Sequence, residues 1–205
     1  MIHTRPISRR IRLAAAALAT GGVLLAGCTS QASTPAQAPE TGSVATDTFF
    51  ADHDLAGLDA AGIIERLDTM PVSDRPANLM ASVQPDSLAL TDNNDREVAL
   101  PIEGDEMYLS IAPYRDKTHD CYFHSLTTCL GELGNTELDL TLIAANGEVL
   151  IDETRTSYDN GFVGIWVPRD IEGTLTVRVG DESATAQIST KNPDGPTCIT
   201  GMQLA

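Results

Sequence analysis

From about Glu97 to the C terminus the chain alternates apolar and polar residues with a period of two, and few folds accept that pattern. "EVALPI", "EMYLSIAPY", "LDLTLIAA", "EVLIDETRTSY", "FVGIWVP", "GTLTVRV", "SATAQIST" and "CITGMQL" read as short strands, each with one face for a core. The connectors carry hairpin chemistry. Asn146-Gly147 suits a type I′ turn, Asp159-Asn160-Gly161 suits a tight loop, and Gly180-Asp181 joins two more alternating runs. Roughly seven or eight strands in about 110 residues predict a mainly antiparallel β-sandwich-like domain, placed at residues 93–205. Trp166, the single tryptophan, falls mid-strand and reads as a core residue.

Upstream the period changes. In "DTFFADHDLAGLDAAGIIERLDTMPV", Leu55, Leu58, Ile63, Ile64 and Leu67 fall near helical spacing, with Asp52 or Asp54 as a candidate cap and Pro71 as the stop. A second short helical or irregular piece, "SDRPANLMASV", follows before Pro85. The spacing thus predicts a helical N-terminal region over residues 47–92. It is near the lower size limit for folding alone, so it is expected to pack on the β-rich part or on a partner chain. The expected fold class is α+β.

The N terminus addresses the compartment. Arg5, Arg9, Arg10 and Arg12 precede the apolar run "LAAAALATGGVLLAG", which is too short and too Gly-broken for a typical membrane span. It ends in "LAGC", Leu25 to Cys28, which resembles the lipobox of bacterial lipoproteins. Residues 1–27 therefore read as a lipoprotein signal peptide and Cys28 as the lipidated new N terminus. Residues 28–46, rich in Ser, Thr, Pro, Ala and Gln, read as a disordered linker. The expected location is the extracytoplasmic face of the cell membrane, held by lipid alone. Without residues 1–27 the chain keeps 9 basic and 29 acidic side chains, a net charge of −20. Such a chain repels nucleic acid, which excludes that partner class.

With Cys28 assigned to lipid, Cys121, Cys129 and Cys198 remain, an odd number for an oxidising compartment. Two of them sit in "HDCYFHSLTTC", His119 to Cys129, inside a segment, Arg115 to Asn135, that breaks the strand alternation. Such loops on a rigid scaffold tend to carry function. Thiolate is soft and imidazole borderline, so the pairing favours copper(I) or zinc over magnesium or calcium. An extended chain points His119 and Cys121 to one side, whereas a helix brings Cys121 near His124. Cys198 in the last strand can complete a three-sulfur set. Three thiolates suit copper(I), and a histidine as fourth ligand suits zinc. A structural disulfide, Cys121–Cys198 or Cys129–Cys198, accounts for the spacing equally well, and spacing alone does not separate the two. A lipid-anchored β-sandwich module with one disulfide and no metal therefore stays open, as does a zinc-binding module.

Other features carry less. There is no Cys-x-x-Cys of a thiol oxidoreductase, no acyl-transfer motif and no carboxylate pair of glycosidase type, so no catalytic residue is assigned. "TDNNDRE" lacks the Gly and terminal Glu of a calcium loop and reads as a polar turn. Met107 and Met202 read as core packing ahead of thioether ligation, and His53 reads as solvated at a helix entry.

Three stretches, "APYRDKTHDCYFHSLTTCLGEL", "YDNGFVGIWVPRDIEGTLTV" and "PTCITGMQL", closely resemble the CueP family of exported bacterial copper-binding proteins, and "GLDAAGIIERLDTMPVSDRPANLMASVQPDSL" resembles its N-terminal region. The resemblance covers nearly the whole chain beyond the linker. Its cysteines match Cys121, Cys129 and Cys198, and its neighbouring histidines match His119 and His124. The resemblance implies copper as the cargo, copper resistance, and delivery to an acceptor such as a copper/zinc superoxide dismutase. It also implies thiol-driven reduction of copper(II) to copper(I) and a two-domain fold able to form a homodimer. The lipobox departs from the family's soluble periplasmic members.

Overall fold

The computed structural model describes residues 41–205. The segment read as a signal peptide, Cys28 with its expected lipidation, and most of the expected linker lie outside the described residues. Helix α1, Thr41–Asp52, and helix α2, Ala60–Asp68, are separate elements. The single run of helical spacing is broken because Asp54 and Gly57 take positive φ values of 57° and 78°, which turn the chain between the helices. The cap of α2 is Asp59, whose Oδ1 accepts the Gly62 N–H at 2.8 Å, and not Asp52 or Asp54. Residues 41–46, expected at the end of the linker, are helical. The amphipathic face of α2 buries Ile63, Ile64 and Leu67.

The next stretch corrects the expected extent of the helical region. After a 3-10 turn at Val72–Asp74 come β1, Leu79–Val83, β2, Ser87–Asp92, and β3, Glu97–Pro101. Residues 79–92 are thus antiparallel strands. Leu79, Ala81, Val83, Leu88 and Leu90 point inward at every second position, and α2 packs on that face. The short apolar run of "LMASV" was ambiguous between the two periods, and pairing with β2 decided it. His53 is another correction. Its side chain is 3% exposed, 3.5 Å from Asp92 of β2 and against the Phe49 ring, because α1 lies down on the sheet there. The "TDNNDRE" stretch is a polar turn, with Asp92 Oδ1 accepting the backbone N–H groups of Asn94 and Arg96.

Then follow β4, Glu106–Tyr114; β5, His124–Ser125; β6, Glu137–Ala144; β7, Val149–Thr156; β8, Val163–Pro168; β9, Glu172–Val179; β10, Glu182–Ser189; and β11, Cys198–Gln203. They form three sheets with strand orders β3-β2-β1-β5, β10-β9-β6-β7 and β11-β4-β8, antiparallel except for the β11–β4 pair. The β6–β7 hairpin turns at Asn146-Gly147, but only the glycine takes a positive φ, 86°, so the turn is not the expected type I′: the Gly147 N–H donates to the Ala144 carbonyl, and the strand register shifts between Leu142 and Ile143.

Strand β4 is buried on both faces and forms the wall between two cores. Its odd residues, Met107, Leu109 and Ile111, join Val163, Ile165, Leu140 and Val177 in the sandwich core, which also takes Met202. Its even residues, Tyr108 and Ser110, face the opposite way, toward α2. Tyr108 belongs to the core under the helices, with Trp166 packed partly buried against it at 5.0 Å between ring centroids. The two cores make an α+β fold in which the helical region is seated on the β-rich part.

Candidate metal centre

The segment between β4 and β6 is pinned at several points. Glu132 Oε2 accepts three consecutive backbone N–H groups, from Arg115, Asp116 and Lys117, at 2.8, 3.0 and 3.1 Å. Strand β5 pairs with β1, so His124 lies opposite Val83. The Tyr122 carbonyl accepts the N–H groups of Thr197 and Cys198, tying the segment to the start of β11. Farther on, Gly131 donates its N–H to the Asn160 carbonyl at 2.7 Å. A Cβ on Gly131 would stand 2.6 Å from the Gly161 carbonyl oxygen, so only glycine allows this crossing.

These anchors bring four side chains together. The ligand atoms of Cys121, His124, Cys129 and Cys198 all lie within 4.8 Å of one another. Cys121 and Cys198 form a disulfide with a Cα–Cα separation of 5.7 Å, one of the two pairings that spacing allowed. Cys129 is free, with its Sγ 3.5 Å from Cys121 Sγ. A single helical turn places it: the Cys129 N–H donates to the Ser125 carbonyl, and the Ser125 N–H donates to Cys129 Sγ at 3.4 Å. The local chain is therefore extended at His124 and helical just after it. His124 Nδ1 is 3.8 Å from Cys198 Sγ, while its Nε2 is 3.0 Å from Asp68 Oδ1.

His119 stands beside this set and not in it. Its ring is in edge contact with Phe162, and its buried Nε2 has no hydrogen-bond partner. Phe162 also packs on the His124 ring, at 4.5 Å between centroids, and with Ala112 forms an apolar wall around the sulfurs. An open groove lined by Asp120, Cys121, Tyr122, Pro196, Cys198 and Thr200 reaches the disulfide from solvent.

Sequence reasoning missed Asp68, Asn160, Thr197 and Arg75. Asp68, the last residue of α2, is 0% exposed. It accepts hydrogen bonds from Tyr108 Oη at 2.7 Å, Ser110 Oγ at 3.3 Å and Asn160 Nδ2 at 2.8 Å, besides His124. One signal was available, since a carboxylate in the last turn of a helix opposes the helix dipole and calls for another reason to be there. Arg75 donates from Nη1 to the Cys129 carbonyl at 2.8 Å.

The electrostatics follow from this packing. Burial penalises the charge on Asp68, but the hydrogen bonds and charge of His124, then Tyr108 and Asn160, outweigh it and lower the carboxyl below its ordinary range. Burial likewise opposes protonation of His124, yet Asp68 and the nearby Cys129 raise its pKa. Burial also works against a Cys129 thiolate. The His124 imidazole, then His119 and the Ser125 N–H, more than compensate and bring the thiol from 9.0 to about 7.

Three sulfurs and one imidazole nitrogen within mutual reach, walled by apolar side chains, fit a soft monovalent ion or zinc and do not fit a hard oxygen-seeking cation. Known proteins narrow the choice. The family model described as "Periplasmic copper-binding protein CueP" matches residues 62–203. The crystal structure of S.CueP is similar at 36% sequence identity and a TM-score of 0.72, covering 78% of this chain and 97% of that one. Among curated proteins none matches the chain.

Proposed function

The chain belongs to the CueP family of periplasmic copper-binding proteins, and we propose that it holds copper(I) through the thiolates of Cys121, Cys129 and Cys198 for copper resistance and delivery. The observation that carries this reading is the convergence of these three sulfurs and His124 within 4.8 Å. Soft sulfur donors in an apolar pocket favour copper(I) over the harder copper(II). His124 is the fourth donor, and His119, beside the pocket with an unpartnered Nε2, assists capture of copper(II).

The same sulfurs can reduce the cargo. The thiolates of Cys121 and Cys198 each give one electron to one copper(II); an S–S bond forms and two copper(I) ions result. The disulfide between these two residues is the product of that step, with Cys129 left as the remaining thiol. The oxidised arrangement is then the metal-poor alternative of the site, restored by reduction. Upstream, Cys28 anchors the protein by lipid to the outer face of the membrane. There it passes copper to an acceptor such as a copper/zinc superoxide dismutase, and it can act as a homodimer.

The test is a thiol count on the purified protein, repeated after anaerobic reduction and addition of copper(I). Three thiols protected stoichiometrically by copper, with zinc failing to displace it, support the reading. One free thiol before reduction, and thiols left unprotected with no copper kept after desalting, would leave a β-sandwich module with a structural disulfide. Displacement of copper by zinc would favour a zinc module. Cys129→Ser should sharply weaken copper(I) in a chelator competition, and unchanged affinity would remove Cys129 from the ligand set.

A further inference from the structure

We infer that Asp68 is a positioning residue of the copper site: it fixes the His124 ring so that Nδ1 is the nitrogen presented to the sulfurs. The inference rests on the three-cysteine reading above and assigns a role to a residue of the helical region. Two features of the structure carry it.

The first is the donor inventory around the carboxylate. Asn160 Nδ2 donates to Oδ1 at 2.8 Å, Tyr108 Oη to Oδ2 at 2.7 Å and Ser110 Oγ to Oδ2 at 3.3 Å. A carboxylate so surrounded acts as acceptor only, so the remaining contact, His124 Nε2 at 3.0 Å, is an N–H donor. That leaves the lone pair of a neutral imidazole on Nδ1, the edge 3.8 Å from Cys198 Sγ. A metal-ligating histidine commonly gives its second N–H to such a carboxylate, which fixes the tautomer and strengthens the donor.

The second feature is the packing that holds the ring. Phe162 covers it at 4.5 Å between centroids, and the His124 backbone N–H donates to Thr197 Oγ1 at 3.0 Å. Asn160, which donates to Asp68, also accepts the Phe162 N–H at 2.8 Å through its Oδ1, so the carboxylate and the covering ring are held by one side chain. Asp68 and His124 are both 0% exposed, so a turned ring would leave a buried N–H without its acceptor and take one of four donors from the buried carboxylate. In this arrangement α2 supplies a supporting part of the centre, and the helical region is more than a cover for the sheet.

The experiment follows His124 by imidazole ¹⁵N–¹H correlation in the copper(I)-loaded protein and measures copper(I) affinity by chelator competition. In the wild type, Nε2 should carry a slowly exchanging proton and Nδ1 should carry none. Asp68→Asn keeps the shape and removes the anionic acceptor, and should weaken copper(I) roughly 10–100-fold, the usual cost of losing an outer-shell partner. In a His124→Ala background the same substitution should cost nothing further. A wild-type Nε2 without a proton overturns the inference without need of any variant. So does wild-type affinity in Asp68→Asn, or an equal loss in the His124→Ala background. Failure of the wild type to retain copper(I) would instead overturn the three-cysteine reading itself.

Discussion

The reactivity of Cys129 gives a quantitative handle on the site. In the disulfide-bonded protein it is the free cysteine among the described residues, and its thiol is brought to about 7 from 9.0, against the effect of burial, first by His124. The perturbation is His124→Gln, which keeps an N–H donor for Asp68 and removes the imidazole. At pH 7 a thiol of pKa about 7 is roughly half ionised and one of pKa about 9 roughly 1% ionised, a loss of about 50-fold in thiolate. The more basic thiolate is intrinsically more nucleophilic by about 6–10-fold, from a Brønsted slope of about 0.4–0.5. With His119 and the Ser125 N–H still in place, the net expectation is alkylation slower at pH 7 by up to about 5–8-fold, with the rate profile shifted upward. Iodoacetamide labelling across pH, with mass spectrometry of the Cys129 peptide, separates this thiol from Cys28. The profile midpoint is independent of how accessible the half-buried sulfur is. A wild-type midpoint near 9, or one that does not move in His124→Gln, would refute the electrostatic account.

Further outcomes follow from other parts of the structure. Reducing the Cys121–Cys198 disulfide, with its sequence separation of 77, should cost about 2–4 kcal/mol of stability. Urea denaturation with and without reductant checks this, and anaerobic copper(I) should restore part of the loss. A Cβ at Gly164 would overlap the Tyr108 hydroxyl, so Gly164→Ala should destabilise by about 1–3 kcal/mol and displace a donor from Asp68. A denaturation midpoint equal to the wild type would contradict that packing. Acid should also unfold the protein in a defined sense. Asp68 and Asp92 are both lowered from 3.8, Asp92 against its burial and chiefly by the Arg96 backbone N–H and guanidinium. Depressed carboxylates contribute stability above their ordinary range and lose it as pH falls through the lowered values. Asp92→Asn should therefore flatten the acid limb of a stability-versus-pH curve.

What was legible in the chain depended on whether the signal was local. Period-two alternation and the Asn146-Gly147 turn belong to neighbouring residues, and the β-sandwich follows from them. The three thiols were legible as a candidate site because soft donors are scarce in this sequence and two of them share one short loop, but His119 and His124 were offered alike, and only the fold places His124 among the sulfurs. The stretch 79–92 was not, since a short apolar run supports either period until a partner strand is present. His53 was misread because burial of a helix end depends on what lies over it, here Asp92 of β2.

By itself, then, the sequence determined the strand-rich α+β class and the odd thiol count, and it offered Cys121, Cys129, Cys198, His119 and His124 as candidate soft ligands. Those properties reside in residue type and short-range spacing. The tertiary structure alone decided which cysteines pair, that Cys129 stays free, and that Asp68 of α2 reaches His124 across 56 positions of chain. Contacts of that kind arise from the two-faced burial of β4, which puts Tyr108 and Ser110 opposite the helix end. No local pattern encodes which distant side chain will meet them there.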